Sequence, residues 1–323
     1  MTTSTTNTNI FITGANGGMG LETAKILASK NVNSITLATR SEAKAQFAKT
    51  EVASVSSKTQ LVAAAGFDMT DPDAIERAVD DLNGDTLFDV IFFQVGGVFF
   101  TKDYPYVNHN GLQIEKTIFQ NAIGAYITLQ NLERRGLVAD DARIIFAGGE
   151  GIRGIPGMIE KPEFSSVEAF RNYVFGNGSL PKFNMMNAIG VSKLALAYIV
   201  QKLAQQDNGK SYIWFSPGLT HGTNGLKAAS PVKRFFMEKI GFGISGLLGL
   251  SQSPHAGAVK YVDSLLGKYG GNGDVLGAPD KKVLGPITDQ KPMNTTITDP
   301  ALIDSFWEIL QDLYPTSRLK KAV

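Results

Sequence analysis

Short apolar runs recur along the chain, separated by longer stretches in which apolar positions repeat at helical spacing. Asn9–Thr13 (NIFIT), Ser34–Ala38 (SITLA), Leu61–Phe67, Phe88–Gln94 (FDVIFFQ), Ala142–Ala147 (ARIIFA) and Ser211–Phe215 (SYIWF) read as strands. They are apolar on both faces, as strands inside a parallel sheet must be. Between them, Gly20–Lys30, Gln113–Leu132 and Asn187–Ala204 predict helices, the first with Leu21, Ala24, Ile26 and Leu27 available for its buried side. Regular alternation of this kind predicts an α/β fold, a doubly wound parallel sheet (Rossmann fold). Two stretches, 151–186 and 219–285, interrupt the alternation. Both fall where such a fold carries material over the carboxyl ends of its strands, the ligand side. With no internal repeat and no low-complexity linker, the expectation is one domain over 1–323, with these two stretches as an enlarged substrate lid.

Composition narrows the class. A chain of 323 residues that is 43% hydrophobic and 19% charged can bury a sizeable core. Its 31 basic residues balance 30 acidic ones, so electrostatics give no case for nucleic acid as a partner. The absence of cysteine excludes disulfides, thiolate metal sites and a cysteine nucleophile. His109, His221 and His255 include no pair three or four residues apart, so no metal site is expected. The N-terminal MTTSTTNTN lacks the pattern of a signal peptide, and no run reaches the ~18 apolar residues of a membrane span. A cytoplasmic protein is expected. The longest apolar stretch, Ile240–Leu250 with Phe235-Phe236-Met237 before it, reads either as a lid helix packed on the protein or as a wall for a lipophilic substrate.

Candidate chemistry begins at the first turn. Thr13-Gly14-Ala15-Asn16-Gly17-Gly18-Met19-Gly20 lies directly between the first strand and the first helix. Glycines there permit a sharp turn and close backbone approach, so that a pyrophosphate can rest on the helix N-terminus. Gly14, Asn16, Gly17, Gly18, Met19 and Gly20 are therefore candidate cofactor contacts.

The TGxxxGxG spacing resembles the short-chain dehydrogenase/reductase family, and the likeness extends over most of the chain. The resemblance implies a dinucleotide cofactor, a small-molecule substrate, and a monomer or homodimer. Arg40 falls where relatives preferring NADP(H) place an arginine for the 2′-phosphate, and no acidic residue ends the second strand to bind a free ribose. Asp68, followed by Met69, matches the adenine-contacting aspartate, and Gly96 stands in Gln94-Val95-Gly96 where the family has Asn-Ala-Gly. Pro217, Gly218, Thr220 and Thr223 resemble the loop that meets the nicotinamide carboxamide, with His221 inside it. Asn121 matches the active-site asparagine. Lys193, in AIGVSKLA, matches the lysine of the family's YGxSKLA, which binds the nicotinamide ribose. The long lid and the tail ending in FWEILQDLYP look closest to the retinol dehydrogenase and protochlorophyllide reductase branches.

The pattern then breaks. The tyrosine position is Ile189, and the strand end that should carry serine reads Gly148-Gly149. Isoleucine has no proton to give and glycine no hydroxyl. Glu150, Tyr173 or Lys193 could supply the missing acid; the plain alternatives are a solvated loop carboxylate for Glu150 and a packed aromatic for Tyr173. Three functions stay open. One is an atypical NADPH-dependent oxidoreductase acting on a bulky, mostly apolar molecule. The others are a redox-neutral enzyme using NADP(H) as scaffold and a non-catalytic NADP(H)-binding regulatory protein.

Overall fold

The computed structural model describes residues 5–84, 86–221 and 251–315. Strands β1 (Asn9–Thr13), β2 (Ser34–Ala38), β3 (Gln60–Ala64), β4 (Phe88–Phe93), β7 (Val138–Ala147), β8 (Ser211–Phe215), β9 (Val275–Gly277) and β10 (Thr288–Asp289) form one sheet. Their order is β10-β9-β8-β7-β4-β1-β2-β3, parallel throughout except for the antiparallel edge pair β9/β10. The chain winds outward from β1 to β3, then returns beside β1 with β4 and continues the other way. The switch point between β1 and β4 is where such sheets leave a crevice.

Alternate residues of each strand serve opposite cores. Ile10 and Ile12 face one layer and Phe11 the other. The first layer holds α1 (Gly18–Ser29), α2 (Glu42–Ala53) and an α-helix at Pro254–Leu265. The second layer holds α3 (Pro72–Asp80), the helical stretch α4 (Lys116–Ile118) to α5 (Gly124–Arg134), α6 (Val167–Phe175) and α7 (Met185–Ala204). We number Pro254–Leu265 α8, and Pro300–Leu313, which packs on α6 and α7, α9. Several helix starts are written plainly in the chain: Asp71, Ser253 and Asp299 each accept an N-terminal amide and precede a proline in the first turn.

Three expected boundaries change by three residues or more. The helix expected over Gln113–Leu132 starts at Lys116, because Gln113 to Glu115 belong to a hairpin of β5 (Tyr106–His109) and β6 (Leu112–Glu115). The cause is the turn at Asn110-Gly111, with φ of 49° and 75°, the left-handed pair that a tight two-residue hairpin needs. The strand expected to run to Phe67 stops at Ala64, and β7 starts at Val138 rather than Ala142, with a register shift against β4. Within 219–285, α8 packs on α1 and β9 pairs with β8, so these parts belong to the sheet-and-helix framework. The apolar run Phe235 to Leu250 lies outside the described residues.

Candidate functional site

A cavity of about 360 Å³ opens over the carboxyl ends of β1, β2 and β4. The first turn forms one wall. Gly14 holds φ 68°, its amide donates to the Ala38 carbonyl at 2.9 Å, and a Cβ there would lie 2.8 Å from Gln94 Oε1. Gly18, with φ 54°, opens α1 immediately beyond. The Thr13 hydroxyl accepts from the Gln94 amide at 3.0 Å and ties this turn to the end of β4. The result is a concave run of backbone facing a helix N-terminus, an anion-binding geometry.

Gly14, Asn16, Gly17, Gly18, Met19, Arg40, Asp68, Met69, Gly96 and Lys193 all line this cavity. Gly20 sits behind the turn, where a Cβ would meet the Gly14 carbonyl oxygen at 2.5 Å; its part is close packing. Lys44, in the first turn of α2, joins Arg40 on the cavity wall, a second cation the sequence reading missed. Gly148, from the strand end where the family pattern has serine, also lines the wall, and Gly97, Gln120, Ala147 and Tyr261 are further wall residues that no motif marked.

At the other end stand Lys193 and Ile189 on one face of α7. The Lys193 ammonium is buried and donates to the Ala147 carbonyl at 2.6 Å. Burial pushes its pKa down to about 8, against a smaller upward pull from Glu150. Asn121 lies in a π-helical turn, Phe119–Ile123, between α4 and α5. Such turns often mark functional positions. Its Oδ1 accepts from the Gly97 amide at 2.9 Å, and its Nδ2 donates to Gly97 O at 3.0 Å and Ser192 Oγ at 2.9 Å. Asn121 thus braces the cavity wall and α7 from behind and does not line the cavity itself.

Gly148 and Gly149, just after β7, differ sharply in the space around them. A Cβ at Gly148 would fall 2.6 Å from the Trp214 ring, so the indole fills the space a side chain would need. A Cβ at Gly149 would meet only the Lys193 stem, at 3.6 Å. Trp214 Nε1 in turn donates to the Lys193 carbonyl at 3.0 Å.

Glu150 is a fully buried carboxylate rather than a solvated one, and it is turned away from the cavity. Ser216 Oγ donates to it at 2.8 Å and the Ala278 amide at 3.2 Å. Burial raises its pKa. Tyr173 lies on α6, packed edge-on against Tyr104 with ring centroids 5.8 Å apart, outside the cavity. Pro217, Gly218 and Thr220 form a loop that does not line the cavity. The Pro217 carbonyl accepts from Gln252 and Lys260, and Thr220 donates to the Gly218 carbonyl. His221 Nδ1 lies 2.9 Å from Ser251 Oγ. Thr223 is outside the described residues. Among the described residues no cluster of metal-ligating side chains occurs, and no helix is long and apolar enough to cross a membrane.

Fold and cavity together define a doubly wound dinucleotide-type α/β protein. Residues 8–155, from β1 to the turn after β7, match the short chain dehydrogenase family. No curated protein sequence matches the chain. Among solved structures the chain resembles a short-chain type dehydrogenase/reductase from Mycobacterium marinum, at 18% identity and TM-score 0.57 over 81% of this chain and 89% of that one. It also resembles a short chain dehydrogenase from Burkholderia cenocepacia in complex with NADP, at 17% identity and TM-score 0.54 over 81% and 91%. A third likeness is to a 3-oxoacyl-[acyl-carrier protein] reductase from Brucella melitensis with bound NAD, at 16% identity and TM-score 0.51 over 81% and 85%. The fold is that of the short-chain dehydrogenases.

Proposed function

We propose that the chain is an NADP(H)-dependent oxidoreductase of the short-chain dehydrogenase type, acting on a bulky, mostly apolar small molecule. In it Lys193 takes over the ionisable role of the absent phenol. The observation that carries this reading is the cavity itself: two cations, Arg40 and Lys44, at one part of its wall, a glycine turn on a helix N-terminus, and a buried lysine beside Ile189. The first turn would hold the pyrophosphate, and Arg40 with Lys44 the 2′-phosphate, by charge-assisted hydrogen bonds. Asp68 and Met69 would flank the adenine. The reduced nicotinamide, when bound, supplies a hydride.

The chain's own residues then have three tasks. Asn121 fixes Gly97 and, through Ser192, the part of α7 next to Lys193, so the wall facing the reaction stays in place. Ile189 presents an apolar side chain where the family pattern has a phenol, which suits a substrate needing little oxygen polarisation, such as one with an activated double bond. Lys193 holds the proton that balances the hydride; having given it up as an amine, it regains one from solvent. Glu150, buried behind it and held by Ser216 and the Ala278 amide, is a positioning residue. The stretch 151–186, which carries Tyr173 and Phe183, would cover the substrate.

Incubating the protein with NADPH and candidate activated alkenes or carbonyl compounds, and following NADPH absorbance, tests this directly. Substrate-dependent loss of absorbance supports the oxidoreductase reading. Product formed with no net NADPH loss overturns it in favour of a redox-neutral enzyme. Tight NADPH binding with no turnover of any substrate would favour the regulatory binding protein.

A further inference from the structure

Beyond the dinucleotide cavity, aromatic side chains gather around a second hollow. Tyr104, which follows β4, packs edge-on against Phe183 with centroids 4.9 Å apart and against Tyr173 at 5.8 Å, and stacks beside Tyr106 at 6.4 Å. Tyr104, Tyr173, Phe183 and Met185 line a cleft of about 530 Å³. The Tyr104 hydroxyl donates to the Pro181 carbonyl at 3.1 Å, which ties the ring to the segment carrying Phe183.

Both walls of this cleft run on into the cavity. Along α7, Met185 lines the cleft while Ile189 and Lys193 line the cavity; the three stand four residues apart and share one helix face. On the opposite side, the segment after β4 gives Gly96 and Gly97 to the cavity and Thr101 and Tyr104 to the cleft. One continuous pair of walls thus leads from the buried lysine to the aromatic rings.

Charge around the cleft nearly cancels. Lys102 and Lys182 are offset by Asp103 and Glu160, so no net field selects an ionic group. Burial and the nearby Glu115 raise the pKa of Tyr173, keeping its phenol neutral. What remains to recognise a ligand is the ring geometry, since aromatic faces and edges favour another aromatic ring over a saturated body of similar shape.

We infer that this cleft is the substrate subsite and takes a flat, uncharged aromatic ring system, with the reacting end directed along α7 toward Lys193. The direction, though not the ring binding, rests on reading the cavity as the NADP(H) site.

The test uses the full chain, with and without saturating NADPH, titrated calorimetrically with 2-naphthol and with its saturated counterpart decahydro-2-naphthol. The expected result is that 2-naphthol binds at least about 10-fold more tightly, from several ring contacts each worth a few-fold. Phe183→Leu should erase most of that preference while NADPH affinity stays within about 2-fold, because Phe183 lies outside the dinucleotide cavity. Tyr104→Leu gives the same readout should Phe183→Leu not fold. Equal affinity for the two probes, no binding of either, or displacement of NADPH by 2-naphthol would overturn the assignment. Ring-selective binding that persists in a protein unable to bind NADPH would leave the cleft standing and refute the cofactor reading instead.

Discussion

At the level of single residues, the turn after β7 shows how packing can require a glycine. Gly148 is not merely unsubstituted: the Trp214 ring occupies the space a Cβ would take, at 2.6 Å. Gly148→Ser should therefore destabilise the fold by about 1–3 kcal/mol, as overpacking does, read as a lowered midpoint in urea at unchanged slope. Gly149→Ser, whose Cβ meets the Lys193 stem at 3.6 Å in an extended backbone, should stay within about 0.5 kcal/mol of the parent. Equal effects at the two positions would contradict the described packing. Lys193 carries the second consequence. Its pKa is lowered from 10.5 to about 8, so the ammonium is present below about pH 8 and the amine above. A step drawing its proton from Lys193 should slow as pH rises through about 8. The unfolded chain keeps this proton up to the ordinary lysine pKa, so between about 8 and 10.5 it binds more protons than the folded state. Stability from this group should therefore rise with pH across that window. Lys193→Met should abolish both trends, measured by rate against pH and by urea melts at pH 8 and pH 10.

At the scale of elements, strands were more legible than their surroundings. β2 and β8 have the bounds their apolar runs suggest, because a strand buried on both faces has little freedom in composition. The hairpin at residues 106–115 was hidden by its neighbour: its residues blend into the apolar periodicity of the following helix, and the Asn110-Gly111 signal was overlooked. β9 and β10 have only three and two residues, too few for any period to show. The glycine turn, Arg40 and Lys193 were readable because backbone geometry and charge both restrict them. Lys44 and Gln120 were not, since nothing local distinguishes a cavity-facing lysine or glutamine from a surface one. Glu150 was found as a candidate, but its burial depends on Ser216 and Ala278, 66 and 128 residues away, which no local pattern encodes. The C-terminal helix α9 is a framework element. Phe306, fully buried against Phe170 and Tyr198, should cost about 3–5 kcal/mol when changed to alanine. That loss should appear in thermal melts of the cofactor-free protein. A loss below about 1 kcal/mol would mean α9 is not part of the cooperative core.

For the whole molecule, the doubly wound sheet brings residues from distant parts of the chain to one crevice: the turn after β1, the cations after β2, Asp68 after β3, Gly96 after β4 and Lys193 on α7. The account stands on a phosphate-bearing dinucleotide filling that crevice. Calorimetric titration of the purified protein with NADPH and NADH, repeated on Arg40→Ala, examines this most directly. NADPH should bind at least about 10-fold more tightly than NADH, as charge-assisted contacts to one extra phosphate require, and Arg40→Ala should remove most of the difference while leaving NADH affinity unchanged. Equal affinity for the two nucleotides, or heat from neither, would contradict the account.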